Sequence, residues 1–283
     1  MDLQVNRLSD VLGAEVIGAD LSRQDDDAQA AALHRALLDN GIIIIRNQHI
    51  SPDDHIAFSK RFGELSVHVL TDFQLPGYPQ ITCISNKREN GKAIGIADAG
   101  RHWHSDQAYE HIPAMGSLLH AQEIPPEGGD TLFCNMYAVL EAMPESLRSR
   151  IEGKYAVFNY QREYNRLKSD NADRKPLTPE QIARTTGATH PIIRTHPETG
   201  RKALYVSEGH TDYIKDMDDE EGEALLQELF AFSKRPEFIY RHVWQPHDLI
   251  FWDNRCTMHN AVPYNPEYTR HMFRTTIIGD VPV

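Results

Sequence analysis

Short runs rich in β-branched and aromatic residues succeed one another along most of the chain: "QITCIS", "MGSLLHAQEI", "TLFCNM", "HPIIRTH", "KALYVS", "FIYRHVWQ", "DLIFWDN" and "RTTIIGDV". Glycine, proline and asparagine separate many of them, the punctuation of an antiparallel sandwich or barrel. Two helical stretches interrupt the series, "YAVLEAMPESLRSRIEG" and "DDEEGEALLQELFAFSK". The beginning differs. "AQAAALHRALLDNG" sets Ala32, Leu33, Ala36 and Leu37 at helical spacing and stops at Gly41. "IIIIRNQ" follows as a buried strand, and "SPDDHIAFSKRFG" opens a second helix with Ser51 as N-cap and Pro52 as its first residue. The expected class is mainly β with flanking helices (α+β).

A polar stretch between Gln161 and Thr189 could be a linker between domains or an excursion over a site. No repeat or composition break accompanies it, and strands continue on both sides. A single domain over residues 1–283, with a mobile excursion at about 161–189, is therefore expected.

Of the 283 residues, 40% are hydrophobic and 25% charged, ordinary proportions for a globular protein with a substantial core. The formal net charge of -12 argues against a general binder of nucleic acid or anionic membrane. An anionic small molecule is not excluded, because a local pair of arginines can outweigh the global sign. Cys83, Cys134 and Cys256 are scattered and odd in number, which suits reduced thiols. No secretory signal and no membrane-length apolar run is visible. A soluble cytoplasmic protein is expected.

"GRHWHSDQAYE" places His102, His104 and Asp106 in alternation. On a strand, these three side chains share one face. The pair His104-x-Asp106 alone carries little weight, since a solvated pair at a strand end has the same pattern. A third donor, His259 in "WDNRCTMHNAV", changes that. Two histidines and one carboxylate form the facial triad of non-heme iron(II) oxygenases, which leaves coordination positions open. The lack of nearby thiolates disfavours structural zinc. His111, His120, His190, His196, His242, His247 and His271 sit in no motif with a chemical demand.

Taken together, "HWHSD", "EGGDT" and "WDNRCTMHNAV…R…RTTI" resemble the signature of the taurine dioxygenase and 2,4-dichlorophenoxyacetate dioxygenase family. The resemblance runs from "VLGAEVIGADL" to "IIGDVPV" and includes "FGEL" and "THPETGRKALYVSEG". It implies a double-stranded β-helix (jelly-roll, cupin-like) core and a 2-oxoglutarate-dependent dioxygenase that uses iron(II) and O2. His104, Asp106 and His259 would be the metal ligands and the catalytic centre. Arg270 and Thr131 would hold the far carboxylate of 2-oxoglutarate, a task that suits a planar guanidinium fork. Arg274 would meet an acidic group on the substrate, with His68 beside it. Thr71 and Gly100 stand where the taurine enzyme would carry a tyrosine and an asparagine. Tyr160 and His210 occupy positions that resemble two phenylalanines. A more polar pocket follows, for a small anionic substrate such as a sulfonate, sulfate ester, aryloxyalkanoate or amino-acid-like carboxylate. The resemblance also implies a homo-oligomer, dimer or tetramer.

Three other readings compete. A non-catalytic metal-containing jelly-roll binding or sensor protein would not need the co-substrate grip of Arg270 and Thr131. A zinc hydrolase would need a general base beside metal-bound water. A halogenase would need the position that Asp106 fills.

Overall fold

The computed structural model describes residues 3–23, 26–170, 174–185 and 187–283. Its largest sheet has eight strands, in the order Gln4–Arg7, Ala14–Ile17, Ile42–Ile45, Leu249–Asp253, Ala114–Glu123, His271–Ile278, Tyr78–Ser85 and Gln74–Leu75. A smaller sheet runs Ile239–His242, Thr131–Asn135 and Thr257–Ala261. Both are antiparallel except where Ala14–Ile17 meets Ile42–Ile45.

The isoleucine run explains how the layers stack. Successive strand residues point to opposite faces. Ile42 and Ile44 join Trp252, Leu119 and Met272 in a core that also takes Phe133 from the smaller sheet. Ile43 and Ile45 turn the other way, toward Leu33, Leu37 and Phe58 of two helices, Asp27–Asn40 and Pro52–Lys60. A strand buried on both faces reads as continuous apolar sequence, and "IIII" is that signature. Two facing sheets on a shared core make the jelly roll, with helices covering the outer face of the larger sheet.

Several sequence-based elements need correction. "YAVLEAMPESLRSRIEG" divides into Met136–Glu141 and Glu145–Arg148, because Pro144 cannot continue the first helix. "HPIIRTH" breaks into Ala188–Pro191 and Ile193–Thr195, and "KALYVS" contributes only Lys202–Leu204. Within the polar stretch at 161–189 lie helices Gln161–Asp170 and Pro179–Arg184, the second begun by a Thr178 capping box. Tyr164 from this stretch packs with Val69, Leu70 and Ile96. Residues 171–173 and 186 of the stretch lie outside the described residues. Among the described residues, no helix is long and apolar enough to cross a membrane. Cys83, Cys134 and Cys256 are buried and unpaired.

Candidate metal centre

The expected strand through His102, His104 and Asp106 is not regular. Only His104 pairs, as an isolated antiparallel bridge to His259 at the edge of the smaller sheet. Its N–H donates to the His259 carbonyl at 3.1 Å, and the His259 N–H donates back at 2.8 Å. Asp106 sits in the turn that follows, where its N–H donates to Asn254 Oδ1 at 3.1 Å. The convergence expected from alternation is thus achieved by one bridge and one anchored turn. Gly100 adopts φ +71, and a Cβ there would come within 3.2 Å of His104 Cε1. Glycine supplies both the backbone conformation and the space beside that ring.

One ligand atom from each of His104, Asp106 and His259 lies within 4.8 Å of the others, and all three residues are buried. His104 Nδ1 lies 2.8 Å from the His102 carbonyl, so it carries the proton and leaves Nε2 as the donor atom. Asp106 is held at both oxygens: Ser117 Oγ donates to Oδ2 at 2.6 Å, and Arg274 Nη1 donates to Oδ1 at 2.9 Å. Asn254 donates to Ser117 Oγ at 3.3 Å and accepts from Trp252 Nε1 at 3.0 Å, which ties the carboxylate to the core. Burial opposes the charge on Asp106, but Arg274 and the two imidazoles hold its carboxyl well below the usual range. Burial, with His104 alongside, pushes His259 well below the ordinary histidine value. At neutral pH, Asp106 is a carboxylate and His259 a neutral imidazole, the states that metal ligation requires. Two imidazoles, one carboxylate and no thiolate fit iron(II).

Thr131 and Arg270 line a cavity together with His104, His259, Gly100 and Arg274. Trp244 Nε1 donates to Thr131 Oγ1 at 3.1 Å, leaving the hydroxyl proton for another partner. Arg270 is 5% exposed and donates from Nε to the Gly129 carbonyl at 3.3 Å. Among the described residues, no carboxylate closes an ion pair with it. Burial lowers its pKa to about 10, so it stays a cation at neutral pH. A buried, unpaired cation is costly, and a ligand anion beside it removes that cost.

His68, Tyr160, His210 and Arg274 line the adjoining cavity, with His102, Tyr109 and Arg174. His68 Nδ1 accepts from the Leu70 N–H at 3.1 Å, and burial with Arg274 nearby lowers its pKa to about 3. His210 Nδ1 lies 3.2 Å from the Ser105 carbonyl, and burial likewise keeps the ring neutral. Tyr160 is pushed up to about 12 by burial. All nine site residues singled out from the sequence therefore line one or other of two adjoining cavities, which share Gly100, His104 and Arg274.

Sequence reasoning left His102 undecided and missed Ser117, Tyr109, Glu163 and Arg174. The His102 ring stands 4.7 Å from that of His104 and 5.6 Å from that of His210, with Nδ1 3.0 Å from Glu163 Oε1. A Cβ on Gly209 would fall 2.0 Å from His102 Cδ2, so the glycine makes room for this ring. Ser117 had no signal of its own within "MGSLLHAQEI"; only its register opposite Trp252 brings it to Asp106.

A profile of the taurine catabolism dioxygenase TauD, TfdA family matches residues 4–276. The chain belongs to that family. An alpha-ketoglutarate-dependent 2,4-dichlorophenoxyacetate dioxygenase of Cupriavidus pinatubonensis is 32% identical over the whole of both chains. The crystal structure of a taurine dioxygenase from Burkholderia xenovorans superposes with a TM-score of 0.83 at 33% identity, covering 100% of this chain and 91% of that one. AAD-2, solved in complex with Mn(II) and N-oxalylglycine, gives a TM-score of 0.83 at 29% identity, covering 100% of this chain and 99% of that one. As a member of this family the chain is a 2-oxoglutarate-dependent non-heme iron dioxygenase, with iron(II), 2-oxoglutarate and O2 as its cofactor and co-substrates. Its small-sheet bridge and its Arg270 pocket lie within the matched residues.

Proposed function

We propose that the protein hydroxylates a small anionic organic substrate, releasing succinate and carbon dioxide from 2-oxoglutarate. The observation that carries this reading is the buried, unpaired guanidinium of Arg270 in the same cavity as His104 and His259. His104, Asp106 and His259 would hold iron(II), which would activate O2, the oxidant for both the hydroxylation and the decarboxylation of 2-oxoglutarate. Arg270 and Thr131 bind the far carboxylate of 2-oxoglutarate, the first by charge and the second through its free hydroxyl proton. Arg274 commits Nη1 to Asp106 but keeps a buried Nε without a partner, and that donor meets the acidic group of the substrate. Neutral His68 and His210 and the protonated Tyr160 complete the pocket, orienting the substrate by hydrogen bonds and excluding water. Glu163, Tyr164, Leu167 and Arg174 of the excursion line this pocket, which supports an excursion over the site of a single-domain protein. Its unpaired buried cysteines suit a cytoplasmic protein, and its family membership suits a homo-oligomer.

The test supplies iron(II) and 2-oxoglutarate with a panel of sulfonates, sulfate esters, aryloxyalkanoates and N-substituted amino acids. Succinate formed in step with loss of one panel member is expected. Binding of iron and 2-oxoglutarate without succinate from any acid would favour the sensor reading instead.

A further inference from the structure

The wall of the substrate cavity contains a second guanidinium, from the polar stretch. Arg174 is 7% exposed and lines the cavity with Arg274, Tyr160 and His210. Two of its nitrogens are committed to Asp98: Nη2 donates to Oδ1 at 2.8 Å, and Nε to Oδ2 at 3.0 Å. The fork is rigid and planar, so this bidentate grip fixes where the third nitrogen points. That third nitrogen, Nη1, is buried and makes no hydrogen bond of regular geometry with the protein; the guanidinium has only weaker contacts with the Tyr160 and Tyr164 hydroxyls. Tyr160 stands close enough to help hold the Arg174 charge, and the Tyr164 ring lies 5.0 Å from its guanidinium carbon.

A buried N–H left wholly without a partner costs about 1–3 kcal/mol in other proteins, and one with only weak partners retains part of that cost. The cavity beside it is only about 50 Å³, room for a few waters. An organic substrate enters only by widening this cavity, and one that does so lies against the same wall, where its acceptor groups become partners for Arg174. Asp98 already balances the charge of Arg174, so what remains on offer is a directed N–H donor and the Tyr160 hydroxyl beside it.

We propose that Arg174 is a specificity-determining residue, selecting substrates with a second oxygen acceptor at the end remote from the acidic group that Arg274 meets. The substrate class is then two-ended: an acid at one end and a carboxylate, ester, ether or similar oxygen at the other. Asp98 is its positioning residue. This inference rests on the anionic-substrate reading above for the first end only.

Matched pairs test it: phenoxyacetate against 4-carboxyphenoxyacetate, and propanesulfonate against 3-sulfopropanoate. Each is titrated without oxygen into protein holding iron(II) and 2-oxoglutarate, reading the perturbed absorption of that complex, so no turnover is needed. The two-ended member of at least one pair should bind at least about ten-fold more tightly, the scale of one charge-assisted hydrogen bond. Arg174→Met should erase that ratio, and Arg174→Gln, which keeps an amide N–H, should retain part of it. Retention of the iron–2-oxoglutarate absorption shows that each variant is folded. An unchanged ratio in Arg174→Met, or equal weakening of both members, overturns the proposal. If no acid binds the natural protein, the anionic reading fails by itself. The corresponding methyl ester pairs then decide on Arg174 by the same ratio.

Discussion

Arg274 reaches a metal ligand at 2.9 Å and borders both cavities, so its removal has two consequences. Arg274→Ala strips Asp106 Oδ1 of its partner and takes a donor from the substrate pocket. Expected outcomes are faster iron loss in a chelator challenge and a higher Michaelis constant for the acidic substrate. A variant that keeps iron as well as the natural protein would show that the bond to Asp106 does not steady the site. Arg270→Ala is cleaner, because Arg270 touches no triad residue among its hydrogen bonds. It should weaken 2-oxoglutarate by about 2–5 kcal/mol, the usual cost of truncating one partner of a buried charge pair, measured by titrating the absorption of the iron–2-oxoglutarate complex. At this scale the positions of the triad and Arg270 were legible in the sequence through the motifs that carry the family resemblance. Ser117 and Arg174 were not. A serine in an apolar run and an arginine in a polar one acquire meaning only from what the fold sets opposite them.

Among the elements, the Pro52–Lys60 helix shows how local sequence reaches the site. Ser51 accepts from the Asp54 N–H, and Asp54 returns a bond to the Ser51 N–H. The helix so started buries His55 and Ser59 against Thr275 on the strand that carries Arg274, with Ser59 Oγ 2.7 Å from Thr275 Oγ1. Ser51→Ala should cost about 1 kcal/mol, lowering the melting temperature by about 2–4 °C, with little effect on iron content. A shift near zero in calorimetry would mean that Asp54 or water replaces the cap. Capping serine and N1 proline made this helix readable in advance. The segment at 101–106 was not readable as it is built, since alternation suggested a strand and only His104 has a bridging partner. Which neighbour a segment finds depends on a residue more than a hundred positions away, and periodicity carries no such information.

In the molecule as a whole, alternation of isoleucines between two cores marks a sheet covered on both faces, and that much followed from "IIII" with the run of strands behind it. Strand order did not, because hydrophobic pattern fixes faces and leaves partners open. The same burial that closes both faces also traps neutral histidines. Burial, with His120 near, lowers His55 to about 3, and burial lowers His120 to about 4, against 6.5 in an unfolded chain. Below pH 6.5 the unfolded chain binds protons that these folded residues refuse, so stability falls as pH drops toward 4. The denaturant midpoint of the metal-free protein should decline steadily from pH 7 to pH 5, and His120→Gln should flatten that decline. A midpoint independent of pH in this range would contradict the burial of neutral imidazole.

The bridge between His104 and His259 also governs the order of events during folding. Ser105 Oγ bonds the Thr257 carbonyl across 152 positions, so these backbone segments must meet through a very long loop. Such contacts form late, since loop closure precedes any reward. The metal then has no site to grip in the unfolded chain or early intermediates. Manganese(II), an oxygen-stable probe, should leave the refolding rate nearly unchanged and slow unfolding by almost the whole stabilisation it confers. The metal acts as a latch on a finished structure, and its loss opens a route back out without having been needed on the way in.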